Sequence, residues 1–218
     1  MEQGLKKVYC IESEQSCNEI CLHFSQYPVL GLDSEWVSYP KEGPISTLQL
    51  STPDGTCAVI RLRKICASMQ QNCPTRLRAL LANNSILKVG VGMENDVRKL
   101  LNDYGLRLSS WLDLRYLARE NGVTPKGLDH LALATVGMTL DKDPHVKFGN
   151  WDADTLTNDQ IHYAALDAFA AVKIFAHFEN LEAVKRRRQG LSSSSSSFIQ
   201  QNCSKYANKR FIWQESDR

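Results

Sequence analysis

One ten-residue stretch, residues 28–37 (Pro-Val-Leu-Gly-Leu-Asp-Ser-Glu-Trp-Val), constrains this chain more than any other. It begins as an apolar run typical of a buried strand and ends with two carboxylates, Asp33 and Glu35. Side chains alternate across a strand, so these two acids point to the same face. Two neighbouring acids at the end of a buried strand repel each other and lose solvation, and a divalent cation is the simplest compensation. An isolated pair could instead lie at a frayed strand end in water, or one acid could cap a turn, so the interpretation depends on partners elsewhere in the chain.

The length of 218 residues suits one α/β domain with an appendage. The hydrophobic content of 43% is ordinary for a globular protein, and the net charge of +2 permits nucleic acid as a partner without arguing for it. The sequence has no apolar run approaching the roughly 20 residues of a membrane span and no secretory signal at its start, so we expect no membrane contact within it. The seven cysteines include no Cys-x-x-Cys pair. We therefore expect reduced thiols in an intracellular compartment, with neither a disulfide framework nor a zinc site.

The order of the predicted elements indicates a mixed sheet flanked by helices. Three early strands are linked by tight turns, among them Pro53-Asp54-Gly55, and helices and strands alternate afterwards. Ser13 and Thr157 are the predicted N-caps of the first and last helices, and Gly105 is the predicted end of a middle one. The predicted strands are residues 7–12, 28–37, 46–51, 56–62, 86–91 and 111–116. The predicted helices are residues 14–24, a helix ending near 81, and residues 95–104, 126–135 and 157–184.

The end of the chain changes in character after residue 184. A basic run at residues 185–188 could contact phosphates or could form a solvated helix end. A serine run follows, so we divide the chain into a domain (residues 1–189), a serine-rich linker (190–197) and a short apolar tail (198–218). We expect the tail to dock on its own domain or on a second copy, which would make a homodimer. The prediction rests on its large apolar residues Phe198, Ile199, Tyr206, Phe211, Ile212 and Trp213.

Two more acids lie where the fold could bring them to the first pair. Asp96 follows a glycine-containing turn at Gly92, between a predicted strand and a predicted helix. Asp167 lies four residues after Tyr163, so both side chains occupy one face of the last helix. Each acid has an alternative role, because Asp96 could satisfy helix N–H groups and Asp167 could pair with Lys173 or a neighbouring arginine. The combination of all these motifs in one order favours a shared site.

In that order, the motifs resemble those of the DEDDy 3′-to-5′ exonucleases, a family with the RNase H-like (DnaQ-like) fold. The resemblance extends over residues 28–178 and is carried by segments 31–36, 88–96 and 156–167 and by Trp151. One departure is the segment Asp152-Ala153-Asp154, where many relatives have an arginine. That departure puts a basic contact to nucleic acid in doubt, but not the metal site.

The resemblance implies an RNase H-like α/β fold and a metal-dependent 3′-5′ exonuclease. Such an enzyme hydrolyses phosphodiester bonds of DNA or RNA from the 3′ end and releases nucleoside 5′-monophosphates by a two-metal mechanism. Two cations, Mg²⁺ or Mn²⁺, are implied, and such hard ions prefer carboxylate oxygen. By resemblance, Asp33, Glu35 and Asp167 would hold the first cation. Asp33 would bridge to the second, Asp96 would hold the second mainly through water, and Tyr163 would orient the attacking water.

Contacts to the substrate are open from sequence. Trp36 and Met93 could pack against the terminal nucleotide, because stacking on such groups tolerates any base, but core packing is an alternative role for each residue. The partner would be single-stranded or 3′-ended DNA or RNA. The resemblance also suggests a mitochondrial or nuclear location, with a membrane anchor possible upstream of these residues.

Two other classes of protein were considered. The segment Gly90-Val91-Gly92-Met93-Glu94-Asn95, followed by Asp113, is close to the dinucleotide-binding fingerprint. It lacks the third glycine at Asn95, and it leaves the acids and Tyr163 unexplained. The second alternative is a catalytically silent nucleic-acid-binding or scaffold module on the same fold. Against it stands the presence of all four acids and the tyrosine.

Overall fold

The protein is described here by a computed structural model, which covers residues 4–66 and 73–188. The strands of these residues form one sheet and are β1 (Lys7–Ile11), β2 (Val29–Trp36), β3 (Ile45–Ser51), β4 (Thr56–Ile60), β5 (Leu87–Gly90) and β6 (Trp111–Asp113). The helices are α1 (Glu14–Phe24), α2 (Leu62–Ile65), α3 (Thr75–Ala82), α4 (Glu94–Tyr104), α5 (Leu114–Glu120), α6 (Leu128–Val136), α7 (Pro144–Lys147) and α8 (Asn158–Arg188). The predicted linker and tail lie outside the described residues.

The sheet is mixed, with strand order β1-β4-β3-β2-β5-β6. Strand β3 runs antiparallel to β2 and β4, and the remaining neighbours pair in parallel. The β3–β4 hairpin turns at Gly55, whose φ of +94° is a conformation that glycine adopts readily. The Gly55 N–H donates to the carbonyl of Thr52 at 3.1 Å and closes the turn. The predicted hairpin and mixed sheet are both confirmed.

Two apolar cores lie on opposite faces of the sheet. One core is formed with α5, α6 and α8, and the other with α1, α3 and α4. Leu30 and Leu32 of β2 enter the second core. Because side chains alternate, Gly31 faces α8, and a Cβ atom built on it would lie 1.9 Å from the carbonyl oxygen of Ala168. Strand β2 and helix α8 therefore approach more closely than any residue larger than glycine would allow.

The predicted helix ends are set by the expected side chains. Ser13 Oγ accepts the Ser16 N–H at 3.2 Å at the start of α1. Thr157 Oγ1 accepts the Gln160 N–H at 3.2 Å, while Gln160 Oε1 accepts the Thr157 N–H at 3.0 Å. This reciprocal pair is a capping box at the start of α8. Gly105, with a φ of +63°, ends α4 as predicted.

Several predicted boundaries were wrong. The strand expected at 111–116 ends at Asp113, because the Asp113 carboxylate accepts the Arg115 N–H at 3.0 Å and starts α5. The strand expected at 56–62 ends at Ile60, and α2 follows. Helix α8 continues to Arg188. The short helix α7 was not predicted.

The expectation of reduced cysteines without disulfides was also wrong for one pair. Cys66 and Cys73 form a disulfide across a sequence separation of 7 residues. Cys10, Cys17, Cys21 and Cys57 are free thiols. Within the described ranges, no helix combines the length and apolar character needed to cross a membrane.

Candidate active site

Strand β2 and helix α8 bring three carboxylates together. Asp33 and Glu35 lie on the face of β2 that Gly31 turns toward α8, and Asp167 extends from α8 next to Ala168. One oxygen from each of Asp33, Glu35 and Asp167 lies within 4.8 Å of the other two. The alternation along β2 and the close helix approach thus produce the acid cluster that the sequence predicted.

The environment of the cluster raises the pKa of each acid. Burial, followed by the charge of Asp167, holds the pKa of Asp33 well above its usual range. The same two causes raise the pKa of Glu35 to about 8. Burial also raises the pKa of Asp167, against the opposing effect of the nearby Lys142 ammonium. Three acids with raised pKa values are electrostatically frustrated without a cation, which is typical of functional sites.

The fourth predicted acid, Asp96, lies beside this cluster and does not join the three oxygens. Asp96 is on α4, and its Oδ1 accepts a hydrogen bond from the Ser34 hydroxyl. Ser34 points to the face of β2 opposite Asp33 and Glu35. Burial raises the pKa of Asp96 to about 6, although the Ser34 hydrogen bond opposes the rise. Asp96 is close enough for its charge to raise the pKa values of both Asp33 and Glu35.

Tyr163 lies one helical turn from Asp167, as predicted, and its side chain is buried. Its ring packs on Trp151 with 6.2 Å between ring centroids. Burial and the charge of Asp167 raise the pKa of the Tyr163 hydroxyl above its ordinary value. The hydroxyl therefore stays protonated at neutral pH and can donate a hydrogen bond.

Sequence reasoning missed Lys142. Its Nζ donates to Asp167 Oδ1 at 2.9 Å and Oδ2 at 2.6 Å, and lies 3.4 Å from the Tyr163 hydroxyl. Lys142 belongs to the segment between α6 and α7, which has no helix or strand. Such a segment has no periodicity, so no pattern in the sequence could have placed the ammonium here.

Sequence reasoning also missed Thr47 and Gln49, which lie on β3 opposite Glu35 and Asp33. Cross-strand partners share a face, so both side chains border the acid cluster. Gln49 Nε2 donates to Thr47 Oγ1 at 2.6 Å, and Gln49 Oε1 is buried without a hydrogen-bond partner. Both residues are fully buried. The signal was present, because a strand with polar residues at alternate positions must turn them either to solvent or to a polar site.

The two predicted substrate contacts differ in exposure. Trp36 is partly buried at the end of β2, and Lys99 Nζ lies 5.0 Å from its ring centroid. Met93 is 1% exposed and belongs to the core between the sheet and α4. Its sulfur approaches Gly90, where an added Cβ would lie 3.2 Å away. Met93 therefore acts as a packing residue in this structure, and its contact with a nucleotide stays a prediction.

Asp113 holds the turn at residues 90–95, the segment that is close to the dinucleotide-binding fingerprint. Asp113 Oδ2 accepts the Gly92 N–H at 3.0 Å and an Arg115 guanidinium N–H at 2.7 Å. A ribose-binding acid would need a free oxygen facing a ligand, whereas Asp113 is 2% exposed. The dinucleotide-binding alternative is not supported.

The acidic departure at 152–154 also has a structural role. Asp152 lies 3.4 Å from Arg63 and accepts the Ser46 hydroxyl at 2.7 Å. Asp154 lies 3.4 Å from Lys64. These contacts attach the loop after Trp151 to β3 and α2.

A cavity of about 340 Å³ opens beside Tyr163 and Asp167. Its other lining residues include Asp141, Asp143 and Asp159, all exposed at the surface. Asp167 lines this cavity, and Asp33 and Glu35 are each partly exposed, so solvent reaches the acid cluster.

The donor set fits a hard divalent cation. Oxygen ligands of one Mg²⁺ lie about 2.1 Å from it, so opposite ligands are roughly 4.2 Å apart, close to the 4.8 Å within which the three oxygens already lie. Carboxylates without histidine or cysteine ligands favour Mg²⁺ or Mn²⁺ over zinc. Burial raises the pKa values of all three acids, and the charge of Asp167 adds to the rise at Asp33 and Glu35, so a bound cation would stabilise their ionised forms.

A mixed sheet of this order, with carboxylates converging from β2 and α8, defines an RNase H-like α/β domain with an acidic site. Structural comparison agrees on the fold: RNase D of Escherichia coli superposes with a TM-score of 0.66 at 23% identity, over 89% of this chain and 50% of that one. A family model described as 3′-5′ exonuclease matches residues 8–182. The chain belongs to the 3′-5′ exonuclease family.

Two curated relatives show how far the likeness extends. The human exonuclease 3′-5′ domain-containing protein 2 is 46% identical over 157 residues, which are 69% of this chain and 25% of the relative. The mouse bifunctional 3′-5′ exonuclease/ATP-dependent helicase WRN is 33% identical over 168 residues, which are 75% of this chain and 12% of the relative. The chain thus spans a quarter or less of the length of these relatives.

Proposed function

We propose that this chain is a metal-dependent 3′-5′ exonuclease that removes nucleotides singly from the 3′ end of DNA or RNA. The observation that carries the proposal is the convergence of Asp33, Glu35 and Asp167 in a domain of the 3′-5′ exonuclease family. The products would be nucleoside 5′-monophosphates. The names of the curated relatives support the reaction class, and the accessible acid cluster supports the metal dependence.

Each acid has a role in holding cations. Asp33, Glu35 and Asp167 would hold the first cation, Asp33 would also reach the second, and Asp96 would act through water because Ser34 already engages one of its oxygens. Two bound cations would activate a water molecule and stabilise charge on the attacking and leaving oxygens. Removal of either β2 carboxylate should therefore abolish turnover.

Tyr163 is proposed to orient the attacking water. Its raised pKa keeps the hydroxyl protonated at neutral pH, so Tyr163 cannot take up the proton of the water as a base. Its hydroxyl instead orients the water through a hydrogen bond. Its ring is fixed against Trp151, which itself donates from Nε1 to the carbonyl of Lys147 at 3.1 Å. Trp36 remains our candidate for stacking on the terminal base, since part of its surface is accessible next to Glu35.

Two assignments remain proposals: the location, which the resemblance suggests, and the homodimer, which the apolar tail suggests. An intracellular location, mitochondrial or nuclear, would be tested by imaging a tagged full-length protein. Homodimer formation through the tail would be tested by light scattering of a chain ending at Gly190, where an unchanged mass would contradict it. The basic run 185–188 begins with Lys185, whose Nζ donates to Asn121 Oδ1 at 2.8 Å and Glu182 Oε1 at 3.1 Å, so a phosphate would have to compete with these contacts.

The deciding experiment is a degradation ladder. A single-stranded oligonucleotide labelled at its 5′ end, as DNA and as RNA, is incubated with the protein in Mg²⁺, in Mn²⁺ or in EDTA. Glu35→Gln is compared with Glu19→Gln, which changes an exposed glutamate on the opposite side of the sheet. We expect a one-nucleotide ladder that requires metal and is lost only in Glu35→Gln. Nucleic-acid binding that is unchanged by EDTA, without any ladder, would instead identify a silent binding module.

A further inference from the structure

The contact between Lys142 and Asp167 is unusual for a site that must bind cations. Both carboxylate oxygens of Asp167 accept from one ammonium, at 2.9 and 2.6 Å. The same Nζ lies 4.7 Å from the ring centroid of Tyr163, within cation–π distance. Asp167 is 5% exposed, so this is a charge pair at the inner wall of the site.

The ammonium also acts on the rest of the cluster. Its charge lowers the pKa values of Asp33, Glu35 and Asp167 in opposition to burial. Lys142 therefore supplies positive charge at the position where the three acids repel one another.

Lys142 and a metal ion compete for the Asp167 carboxylate in this arrangement. A cation held by the three clustered carboxylates needs at least one Asp167 oxygen, and both oxygens are engaged by Nζ. A divalent ion and an ammonium sharing one carboxylate would also repel each other strongly at low effective dielectric. Binding of a divalent ion at Asp167 therefore weakens the contact with the ammonium, and the ammonium weakens the binding of the ion.

We propose that Lys142 is an exchangeable internal counter-ion, which stabilises the acid cluster in the metal-free protein and leaves Asp167 when a divalent cation binds. The inference rests on the metal site of the proposed function. It assigns Lys142 a positioning role, since its ammonium keeps the three acids together until a metal ion replaces it.

The chain around Lys142 allows this movement. Met138 is buried, but Asp141 and Asp143 on either side of the lysine are exposed, and the segment has no backbone ladder that would fix it. The cavity of about 340 Å³ beside Asp167 is lined by Asp141, Asp143 and Asp159. A displaced ammonium could therefore be solvated by water and pair with one of these three carboxylates.

Metal affinity provides the first test, with Mn²⁺ binding measured by isothermal titration calorimetry on the full chain. Lys142→Met removes the competing charge and keeps the side-chain length, and we expect it to bind Mn²⁺ about tenfold more tightly, or about 1.4 kcal/mol. Lys147→Met is the matched control. Lys147 also acts on Glu35 and Asp167 through its charge, but its side chain is exposed and its Nζ lies 5.3 Å from the Phe148 ring centroid. The control should change the affinity by less than threefold.

A second test uses the wild-type protein and does not depend on the folding of a variant. Amine-reactive labelling followed by mass spectrometry should show that Lys142 becomes several-fold more reactive when Mn²⁺ is added. The labelling of Lys147 should not change.

The outcomes separate this inference from the proposed function. Equal or weaker Mn²⁺ binding by Lys142→Met, or Mn²⁺ binding without a rise in Lys142 labelling, overturns the counter-ion role and leaves the metal site intact. A wild-type protein that binds no Mn²⁺ at millimolar concentration overturns the metal site itself, and the counter-ion role with it.

Discussion

Gly31→Ala is the perturbation that tests most directly how the fold builds the site. The added Cβ would lie 1.9 Å from the Ala168 carbonyl oxygen and 2.9 Å from its carbonyl carbon. Both atoms are backbone, so no side-chain rotation relieves the overlap. Ordinary contact begins near 3.4 Å, and α8 would have to move away from β2 by about 1.5 Å.

The magnitude follows from that displacement. Overpacking of this kind costs about 1–3 kcal/mol in the free energy of unfolding. Because Ala168 follows Asp167 directly, the same movement carries the Asp167 carboxylate away from Asp33 and Glu35. A misplacement of about 1 Å in a catalytic group lowers the rate by roughly 10²-fold. Activity should therefore fall much further than stability.

Three assays test this on one preparation. Urea unfolding measures stability, Mn²⁺ titration reports the placement of the acids, and the degradation ladder measures activity. The control is Gly43→Ala, where the added Cβ would lie 3.6 Å from the Val37 carbonyl oxygen, in ordinary contact. We expect the control to match the wild type in all three assays. A Gly31→Ala protein with unchanged unfolding, metal affinity and ladder would refute the idea that close packing of β2 on α8 sets the geometry of the acids.

Three further predictions concern the charges in the site. Asp33→Asn should abolish the ladder while the melting temperature of the metal-free protein stays the same or rises, because burial and the neighbouring acids disfavour a charge at this position and asparagine carries none; a large loss of melting temperature would show a structural role instead. Ser34→Ala should remove a hydrogen bond to the buried Asp96 carboxylate and lower the free energy of unfolding by about 1.5–3 kcal/mol above pH 7, as measured in urea, with little change at pH 4. In EDTA the free energy of unfolding should fall as pH rises from 5 to 8. An unfolded glutamate is already ionised in this range, whereas Glu35 keeps its proton until its pKa of about 8, so folding takes up a proton that rising pH removes. The slope can reach about 1.4 kcal/mol per pH unit for one group, and Glu35→Gln should flatten it; an unchanged slope in that variant would contradict the assignment.

The acids could be predicted because their placement follows local periodicity. Asp33 and Glu35 share a face through the period of two in a strand, and Tyr163 and Asp167 share one through the helical turn. Both relations hold wherever the two elements lie. The distance between β2 and α8 is a tertiary property that depends on Gly31. Nothing in the sequence indicated that this glycine sets the distance.

The remaining site residues could not be predicted by the same means. Leu48 and Leu50 alternate with polar residues along β3, a pattern typical of a strand with one solvated face. The polar residues Thr47 and Gln49 are nevertheless fully buried under α8. The pattern shows which residues share a face, and only the packing shows what covers it. Lys142 lacks even such a pattern, since it reaches Asp167 from a segment without regular structure. The Cys66–Cys73 disulfide depends likewise on how a loop closes.

The loop after Trp151 shows which contacts fix Tyr163. Its ion pairs, Asp152 with Arg63 and Asp154 with Lys64, are exposed to water, where such pairs contribute little to stability.

Arg61 is different, because it is 2% exposed and donates to the carbonyls of Ala153 and Asp154 while pairing with Glu12 at 3.1 Å. Breaking the contacts of a buried charge is strongly destabilising, so Arg61 outweighs the exposed pairs in holding this loop. The loop positions Trp151, and the Trp151 ring packs on Tyr163. The tyrosine proposed to orient the attacking water is thus supported by a buried arginine that follows β4, about 100 residues earlier in the sequence.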